Sequence, residues 1–425
     1  MGFCARLIVL AACTVVIVGA QTAVPTPAAS PREPTQPAVK TPAALLFSSS
    51  PFDADIVRGL TYVRGGVNGS RPLYVVLDSG ASESIITPQL AQELHLKTEE
   101  TAAAAGPGTG GDSMLHMVHG ATLTLGATTI ADQTIAALPI DYIAQQVGVP
   151  TDGIFGGNFF TRFVVDEDYA AHAVRLLDSA TFAPSADFVS VPVNLGGNVA
   201  FTQLVFRAPD GSELSGIFLI DSGLVGDLIF AEPFVKAHPA VLSGKRVDVP
   251  SVAAVGGKLQ VQMGRIRTLT LGSFVLKEPV AIFPSNAAGV LANEKIAGIL
   301  GTGVLKRFHV IFDWPHQRML LAPGPDVRMR SPGNCSGLSL RVSPPDFHRL
   351  LVNGVIAGSP AAQAGILAGD VIEAVTRGPG EPRPDAGLQL AAVIKELAEP
   401  DLSFVVLIER NGKSMQVRFV TRELY

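Results

Sequence analysis

The sequence predicts a mainly β chain in which two related lobes are followed by a smaller α+β domain. Short apolar runs rich in strand-forming residues alternate with Gly, Asn, Asp and Pro turns. The sequence also contains an internal repeat: Asp78-Ser79-Gly80 returns further along the chain as Asp221-Ser222-Gly223. With 425 residues, 47% of them hydrophobic, the chain is long enough to bury more than one core.

Residues 1–20 are predicted to be an export signal. Arg6 supplies the positive start, Leu7–Val18 the apolar run, and Val18-Gly19-Ala20 a small-residue cleavage site. Two alternatives stay open. Leu10-Ala-Ala-Cys13 is similar to a bacterial lipoprotein box, and the apolar run could be an uncleaved anchor, although a spanning helix needs roughly 17 to 25 residues. We therefore expect a periplasmic or extracellular protein that meets a membrane only if this segment is uncleaved or lipidated.

Residues 21–51 are predicted to be a flexible spacer, because Pro, Ala, Thr and Ser dominate them. Their one apolar triplet, Leu45-Leu46-Phe47, could dock as an edge strand. Cys4 and Cys13 precede the predicted cleavage point, which leaves Cys335 alone in the mature chain. A single cysteine allows neither a disulfide nor a cysteine metal site within one chain.

The first lobe is assigned to residues 52–183 and opens with a hairpin that leads to an acid. The strand Ile56–Val67, an Asn68-Gly69 turn and the apolar strand Leu73–Leu77 run into Asp78. Thr87-Pro88 then predicts the start of a short helix.

Two patterns in this lobe are predicted not to be sites. Gly106–Gly111 satisfies G-x-G-x-x-G, but neither a parallel strand before it nor a helix after it is evident, so dinucleotide binding is not expected. His116 and His119 are three residues apart, which places them on opposite faces of a strand. With no third ligand nearby, we expect no metal there.

The second lobe, residues 184–323, repeats the plan of the first. Phe201–Arg207, the turn Pro209-Asp210-Gly211 and the strand Ile217–Ile220 lead into Asp221. Three matches share this register: Asp78 with Asp221, Gly126 with Gly272, and Gly153–Phe163 with Gly298–Phe308. Their offsets are 143 (221 − 78), 146 (272 − 126) and 145 (298 − 153). Offsets that differ by no more than three residues indicate duplicated lobes.

These residues resemble the aspartic proteases, and most closely the retropepsin-like branch found in bacteria. In that family each lobe supplies one Asp from an Asp-Thr/Ser-Gly turn, and a hydrophobic-hydrophobic-Gly segment passes behind it. Ile154-Phe155-Gly156 and Ile299-Leu300-Gly301 match that segment. The resemblance covers roughly residues 50 to 322 and implies a two-lobed, aspartic-protease-like β-barrel pseudo-dimer. It also implies a flap over the substrate at Ala102–Gly120, for which a plain surface loop is the alternative.

The resemblance implies that Asp78 and Asp221 are the catalytic pair. Two acids in a low-polarity cleft share one proton, and the aspartic-protease dyad is the standard example. The ionised member can activate a water, while the protonated member stabilises the oxyanion. The adjoining loop residues are expected to support the pair: Ser79 and Ser222 by hydrogen bonds across the lobe interface, and Gly80 and Gly223 by allowing the loops to approach closely.

A third region, residues 333–425, follows the boundary at Pro323-Gly324-Pro325. Gly337-Leu338-Ser339-Leu340 resembles the carboxylate-binding loop of PDZ domains, and Val352–Ile372 is similar to a run in PDZ domains of bacterial secreted proteases. The resemblance implies an α+β PDZ domain that takes a peptide C-terminus as an added strand.

Local signals in this region agree with that fold. Ser359-Pro360 predicts a short helix that Gly365 ends, and Asn411-Gly412 predicts a final hairpin. A second helix is predicted by apolar residues at helical spacing, namely Leu390, Val393, Ile394 and Leu397.

Together these features predict an exported aspartic endopeptidase that needs no cofactor or metal and carries a PDZ domain for docking or regulation. Its partners would be a peptide or protein substrate and a peptide ligand of the PDZ domain. A monomer would suffice, because one chain holds both acids. The net charge of −5, without a basic stripe, predicts no nucleic-acid partner. A non-catalytic peptide-binding or scaffold protein built from the same parts remains the alternative.

Overall fold

The computed structural model describes residues 6–9, 16–19, 50–104, 113–254 and 257–425. In the N-terminal segment these include two short strands, β1 (Arg6–Val9) and β2 (Val16–Gly19), which pair antiparallel. Nearly all of the predicted spacer and the whole G-x-G-x-x-G pattern lie outside the described residues. Within the described ranges, no helix is long and apolar enough to cross a membrane.

The first lobe is built mainly from strands, as the sequence predicts. Its elements are β3 (Phe52–Asp53), β4 (Asp55–Val57), β5 (Leu60–Val67), β6 (Leu73–Leu77), β7 (Ile85–Ile86), α1 (Pro88–Glu93), β8 (Glu99–Ala104), β9 (Ser113–Leu125), β10 (Thr128–Ala137), α2 (Asp141–Val147), β11 (Gly153–Phe155), α3 (Gly157–Phe160), β12 (Val164–Asp168) and β13 (Ala173–Leu177).

Strands of the first lobe close into a barrel. Neighbours pair in the order β5, β6, β11, β7, β10, β9, and β9 pairs back onto β5 where Leu125 lies opposite Gly65. The predicted hairpin joins β5 to β6, and its turn residues Asn68 and Gly69 have φ of 48° and 73°. Positive φ at both positions matches the twist of the strands, which is why Asn-Gly favours this turn. The predicted helix is α1, whose first turn is capped by Thr87 Oγ1, 3.1 Å from the Leu90 amide.

Except that a 3₁₀ turn replaces helix α2 and that some strands are divided, the second lobe follows the chain order of the first in its elements. They are β14 (Val189–Pro192), β15 (Asn194–Gly196), β16 (Val199–Arg207), β17 (Glu213–Ile220), β18 (Leu228–Phe230), α4 (Glu232–Ala237), β19 (Arg246–Ala254), β20 (Gly257–Arg265), β21 (Thr268–Leu271), β22 (Phe274–Lys277), β23 (Val280–Pro284), β24 (Gly298–Leu300), α5 (Thr302–Leu305), β25 (Phe308–Asp313) and β26 (Arg318–Pro323), with 3₁₀ turns at Pro239–Leu242, Gly289–Ala292 and Trp314–His316.

The second barrel repeats the strand order of the first. Its neighbours are β16, β17, β24, β18, β23 and β20, and β21 closes the ring onto β16. The long strand β9 of lobe 1 therefore corresponds to β20 and β21 together. Because the chain order and the pairing order both repeat, the duplication seen in the sequence extends to the topology.

A six-stranded sheet joins the two lobes. Its order is β3, β13, β12, β25, β26, β14, so that each lobe contributes three strands. At its centre Asp166 of β12 pairs with Ile311 of β25. These two positions are 145 apart (311 − 166), the offset that aligns Gly153 with Gly298, so each is the other's counterpart in the repeat. The approximate twofold axis between the lobes therefore passes through this pair.

The C-terminal region forms a separate α+β unit. Its elements are β27 (Leu338–Ser343), β28 (Asp346–Val355), α6 (Pro360–Gln363), β29 (Val371–Arg377), α7 (Leu390–Glu396), β30 (Ser403–Arg410) and β31 (Lys413–Val420). The five strands form one antiparallel sheet in chain order, with β27 at its edge. Ser359 Oγ caps α6, and Gly365 beyond the helix has φ of 83°, as predicted.

The C-terminal unit is anchored on lobe 2. Leu424 and Tyr425 pack with Val280 of that lobe in one apolar cluster. Gly354 of β28 lies so close to Pro250 that a Cβ at residue 354 would be 2.4 Å from the Pro250 Cβ. The position of the unit relative to the lobes is thus fixed by direct packing.

Candidate active site

Asp78 lies at the end of β6 and is completely buried. Its amide donates to the Phe155 carbonyl at 2.9 Å, which ties the acid to the strand that passes behind it. Its Oδ1 accepts the Gly80 amide at 2.8 Å. The Asp-Ser-Gly tripeptide therefore turns tightly around its own carboxyl group.

Asp221 occupies the corresponding position at the end of β17 and is also completely buried. Its amide donates to the Leu300 carbonyl at 3.0 Å, and its Oδ1 accepts the Gly223 amide at 2.8 Å. Each bond has its counterpart in lobe 1, so the two acids are held in equivalent environments on either side of the pseudo-twofold axis.

Ser79 and Ser222 exchange hydrogen bonds across the lobe interface. Ser79 Oγ donates to the Ile220 carbonyl at 3.0 Å and accepts the Ser222 amide at 3.0 Å. Reciprocally, Ser222 Oγ donates to the Leu77 carbonyl at 3.1 Å and accepts the Ser79 amide at 2.8 Å. Four buried bonds join the loops that carry the acids, because each hydroxyl can donate and accept at once.

The glycines of these loops and of the segments behind them allow close approach. A Cβ at Gly223 would lie 2.2 Å from Asp78 Oδ2, so the second loop touches the first acid directly. At Gly156 a Cβ would lie 2.4 Å from the Ala81 carbonyl oxygen, and at Gly301 it would lie 2.5 Å from that of Gly226. Any other residue at Gly156 or Gly301 would require the backbone to move, and at Gly223 it would require the Asp78 carboxyl group or the loop to move.

Burial raises the pKa of both acids. Removal from water raises the pKa of Asp78 to about 7, although the Gly80 amide lowers it in part. The pKa of Asp221 is raised well above its usual range by burial and then by the nearby charge of Asp78. Oδ2 of each acid has no hydrogen-bond partner among the described residues. The pair can therefore hold a proton at neutral pH.

A third buried acid, Glu167, lies beneath the pair and was not singled out from the sequence. It is 1% exposed, and its Oε2 accepts the Thr61 hydroxyl at 2.9 Å. Thr61 pairs with Leu77, the residue before Asp78. Burial raises the pKa of Glu167 to about 8, and the charge of Asp78 adds to the shift. The available signal was the repeat itself, which aligns Glu167 with the apolar residue Phe312 of lobe 2 (312 − 167 is 145).

The lobes differ in how they brace the loop after the acid. In lobe 1, Asn158 Oδ1 accepts the Ser84 amide at 2.7 Å. Gly303 occupies the place of Asn158 in lobe 2, and a Cβ there would lie 2.1 Å from Asp227 Oδ1. Asp227 accepts the Val280 amide at 2.7 Å. Because residue 303 has no side chain, there is room for the buried carboxylate of Asp227. This carboxylate supports the second loop in place of an asparagine such as Asn158.

Asp227 also connects lobe 2 to the chain that leads to the C-terminal unit. It accepts a hydrogen bond from Ser331 Oγ and lies 3.7 Å from Arg307 Nη2. Arg307 is 4% exposed and donates to the Met329 carbonyl at 2.8 Å. A buried pair of this kind is favourable only when such additional hydrogen bonds satisfy it.

Leu224 lies inside lobe 2, 1% exposed, directly after the Asp221 loop. Its carbonyl accepts both the Thr302 amide at 2.9 Å and the Thr302 hydroxyl at 2.8 Å. The Leu224 side chain packs in an apolar cluster with Ile229 and Ile299.

The other predicted site residues lie elsewhere. Three of the four PDZ-type residues, Leu338, Ser339 and Leu340, belong to strand β27, so only Gly337 lies in the loop and the predicted loop is corrected to that extent. Residues 102–104 and 113–120 of the predicted flap belong to the paired strands β8 and β9, and residues 105–112 are outside the described residues. His119 Nδ1 lies 3.0 Å from Thr134 Oγ1. No group of three His, Cys, Asp or Glu residues able to hold a metal ion occurs in the part of the chain that the structure describes.

Comparison with known proteins connects part of the chain to one family. A sequence model of the aspartyl protease family matches residues 63–159, a segment that contains Asp78. No curated protein sequence matches the chain.

Two solved structures share a likeness with the chain. An aspartic proteinase from Irpex lacteus is 16% identical, with a TM-score of 0.38, over 68% of this chain and 100% of its own. The PDZ domain of the carboxy-terminal protease from Vibrio cholerae, in complex with peptide, is 22% identical, with a TM-score of 0.19, over 21% of this chain and 92% of its own.

Proposed function

We propose that the chain is an aspartic endopeptidase in which Asp78 and Asp221 together activate water. The observation that carries the proposal is the matched setting of the two acids. Each is completely buried, each accepts the amide of the glycine two residues on, and Ser79 and Ser222 lock the two loops together. The match of residues 63–159 to the aspartyl protease family agrees with it.

The chemistry follows from a pair that holds one proton. The ionised carboxylate accepts a proton from water as the water oxygen bonds to the peptide carbonyl carbon. The protonated carboxyl donates to the carbonyl oxygen and stabilises the tetrahedral intermediate. When that intermediate collapses, the C–N bond breaks and the pair returns a proton to the leaving nitrogen. Burial favours this arrangement, because it raises the pKa of both acids and keeps one proton on the pair.

The test is proteolysis by the purified full chain on unfolded casein across a range of pH. We expect Asp78→Asn and Asp221→Asn each to abolish cleavage, while circular dichroism and thermal unfolding stay those of a folded protein. The exposed Asp187→Asn serves as the matched control and should cleave as the wild type does. Full activity in either dyad variant would remove that acid from the mechanism. A folded wild type that binds peptides but cleaves none would favour the non-catalytic alternative.

We propose the same hydrolase as an exported enzyme with a C-terminal PDZ domain. Export is supported by the signal-like residues 1–20, and the PDZ assignment by the Gly337–Leu340 motif and the order of strands and helices after it. N-terminal sequencing of the mature protein tests export: a start at Gln21 is expected, and a start at Cys13 would indicate a lipoprotein instead.

A further inference from the structure

The C-terminal unit has a groove between its edge strand β27 and helix α7. Leu338 and Leu340 of β27 and Ile394 and Leu397 at α7 provide apolar side chains around it. An edge strand can pair with an additional strand, and a groove with apolar walls beside it can hold the side chains of that strand. By its shape and chemistry the groove suits an extended peptide.

Helix α2 of lobe 1 already lies across this groove. It packs directly against β27, and Gly148 at its C-terminal end reaches α7. A Cβ at Gly148 would lie 2.8 Å from the Leu390 Cβ. Because α2 and its end touch both walls, a strand added along β27, at a spacing of about 4.8 Å, would take the space that the helix occupies.

The part of the groove that α2 leaves open forms a cavity of about 560 Å³. Tyr142 and Gln145 of α2 line one side of it, and Leu338 lines the opposite side. Leu224 and Val225, which follow the catalytic Asp221, line it as well. The groove of the C-terminal unit and the catalytic loop of lobe 2 thus face the same space.

The buried face of α2 is also part of the catalytic lobe. Ile143 and Val147 pack in one cluster with Ala81, which belongs to the Asp78 loop, and with Val225 of the Asp221 loop. Arg58 of the same lobe donates to the Gln146 carbonyl at the end of the helix. A shift of α2 would therefore change the packing behind both catalytic loops.

At the end of the groove, the amides of the loop are held by side chains of the same loop. The Gly337 amide donates to Asn334 Oδ1 at 2.8 Å, and the Leu338 amide donates to Ser336 Oγ at 3.2 Å. Both acceptors are polar side-chain oxygens that a peptide carboxylate could replace. The loop and the groove are both occupied from within the chain.

We propose that α2 is the intramolecular occupant of this groove and that an extended peptide with an apolar C-terminal residue and a free carboxylate displaces it. Occupancy of the groove is then coupled to the packing of α2 behind the catalytic loops. The effect on cleavage rests on the proposed function. The competition between α2 and the peptide does not rest on that function, because it requires only that both bind in the same groove.

Hydrogen exchange of the full chain, in the Asp78→Asn background that prevents turnover, tests the competition. The probes are fluorescein-labelled octapeptides of mixed internal sequence that end in Ala, Val, Leu or Phe, each compared with its C-terminal amide. The reporter is the Gly148 amide, which donates to the Ala144 carbonyl at 2.9 Å and so depends on α2. We expect the free acids to bind and to accelerate exchange at this amide at least about tenfold, the amount that a largely displaced helix requires.

Two variants sharpen the test. Tyr142→Ala removes groove-facing surface from α2, so the peptide should bind about three- to tenfold more tightly, since a weaker occupant competes less. Ile394→Lys places a charge in the apolar wall and should abolish peptide binding, so that added peptide no longer accelerates exchange at Gly148. Peptide binding with unaltered exchange at Gly148 overturns the proposal, as does failure of both the parent and Tyr142→Ala to bind any of the peptides. None of these outcomes depends on proteolysis, which the casein assay reports separately.

Discussion

Gly223 of the second lobe lies directly against the carboxyl group of Asp78 from the first. A Cβ at residue 223 would be 2.2 Å from Asp78 Oδ2 and 2.3 Å from Asp78 Cγ. The loop that carries one acid therefore forms part of the wall around the other, and neither half of the site is complete alone.

The first prediction is that Gly223→Ala disrupts the pair. The added methyl must push the Asp78 carboxyl or the loop aside, and a displacement of about 1 Å can lower the rate about 100-fold. Overpacking should also lower the free energy of unfolding by about 1–3 kcal/mol. The measurements are kcat on a fluorogenic peptide and unfolding in urea. Gly66→Ala is the control, because its Cβ would meet nothing closer than 3.7 Å. Wild-type kcat in Gly223→Ala would contradict the close approach.

The second prediction concerns the serine exchange between the lobes. Ser79→Ala and Ser222→Ala should each lower the free energy of unfolding by about 1–3 kcal/mol, because each leaves the other lobe's buried amide unsatisfied. The double variant should lose less than the sum of the two, since both hydroxyls serve one network. A double-mutant cycle in urea measures this. Additivity within about 0.5 kcal/mol would show that the two serines act independently.

The third prediction is a loss of stability but a gain of activity as pH rises through the pKa of Asp78. Burial raises the pKa of Asp78 from 3.8 to about 7, so the folded state favours the protonated acid. This contribution to stability is fully present below pH 3.8 and is lost as pH rises through about 7. Cleavage should rise over the upper part of this range, because ionisation of Asp78 leaves the single shared proton on Asp221, whose pKa the charge of Asp78 raises further. Urea unfolding and initial rates at stepped pH check both effects. In Asp78→Asn the free energy of unfolding should depend less steeply on pH. If it depends on pH as steeply as in the wild type, a group other than Asp78 titrates in this range.

The fourth prediction concerns Glu167. Burial raises the pKa of this carboxyl group from 4.5 to about 8. Folding favours the neutral form of Glu167. Its contribution to stability is therefore fully present below pH 4.5 and is lost as pH rises through about 8. Glu167→Gln cannot ionise and should gain a few kcal/mol over the wild type above that pH, with little difference in acid. Urea unfolding at the two extremes measures the gain. The exposed Glu213→Gln is the control. If Glu167→Gln changes the free energy of unfolding equally at low and at high pH, the charge of Glu167 is not the cause.

The sequence alone determined the local pieces of this protein. Asp78 and Asp221 could be found because each follows an apolar strand and precedes Ser-Gly, and the nearly constant offset between the repeats marked two lobes. The turn at Asn68-Gly69, the cap at Thr87 and the helix at Ser359-Pro360 also depend on neighbouring residues only. Short-range patterns of this kind are fixed by backbone and side-chain preferences that act within a few residues.

Only the tertiary structure determined which distant residues these local elements contact. The Ser79–Ser222 bonds join residues 143 positions apart, and nothing near either serine specifies its partner. The burial of Glu167, the space that Gly303 leaves for Asp227 and the seat of α2 in the groove beside β27 likewise arise where distant segments pack. Such contacts depend on how whole sheets and domains fit together, so their geometry is set by close packing over the entire molecule and not by the residues on either side.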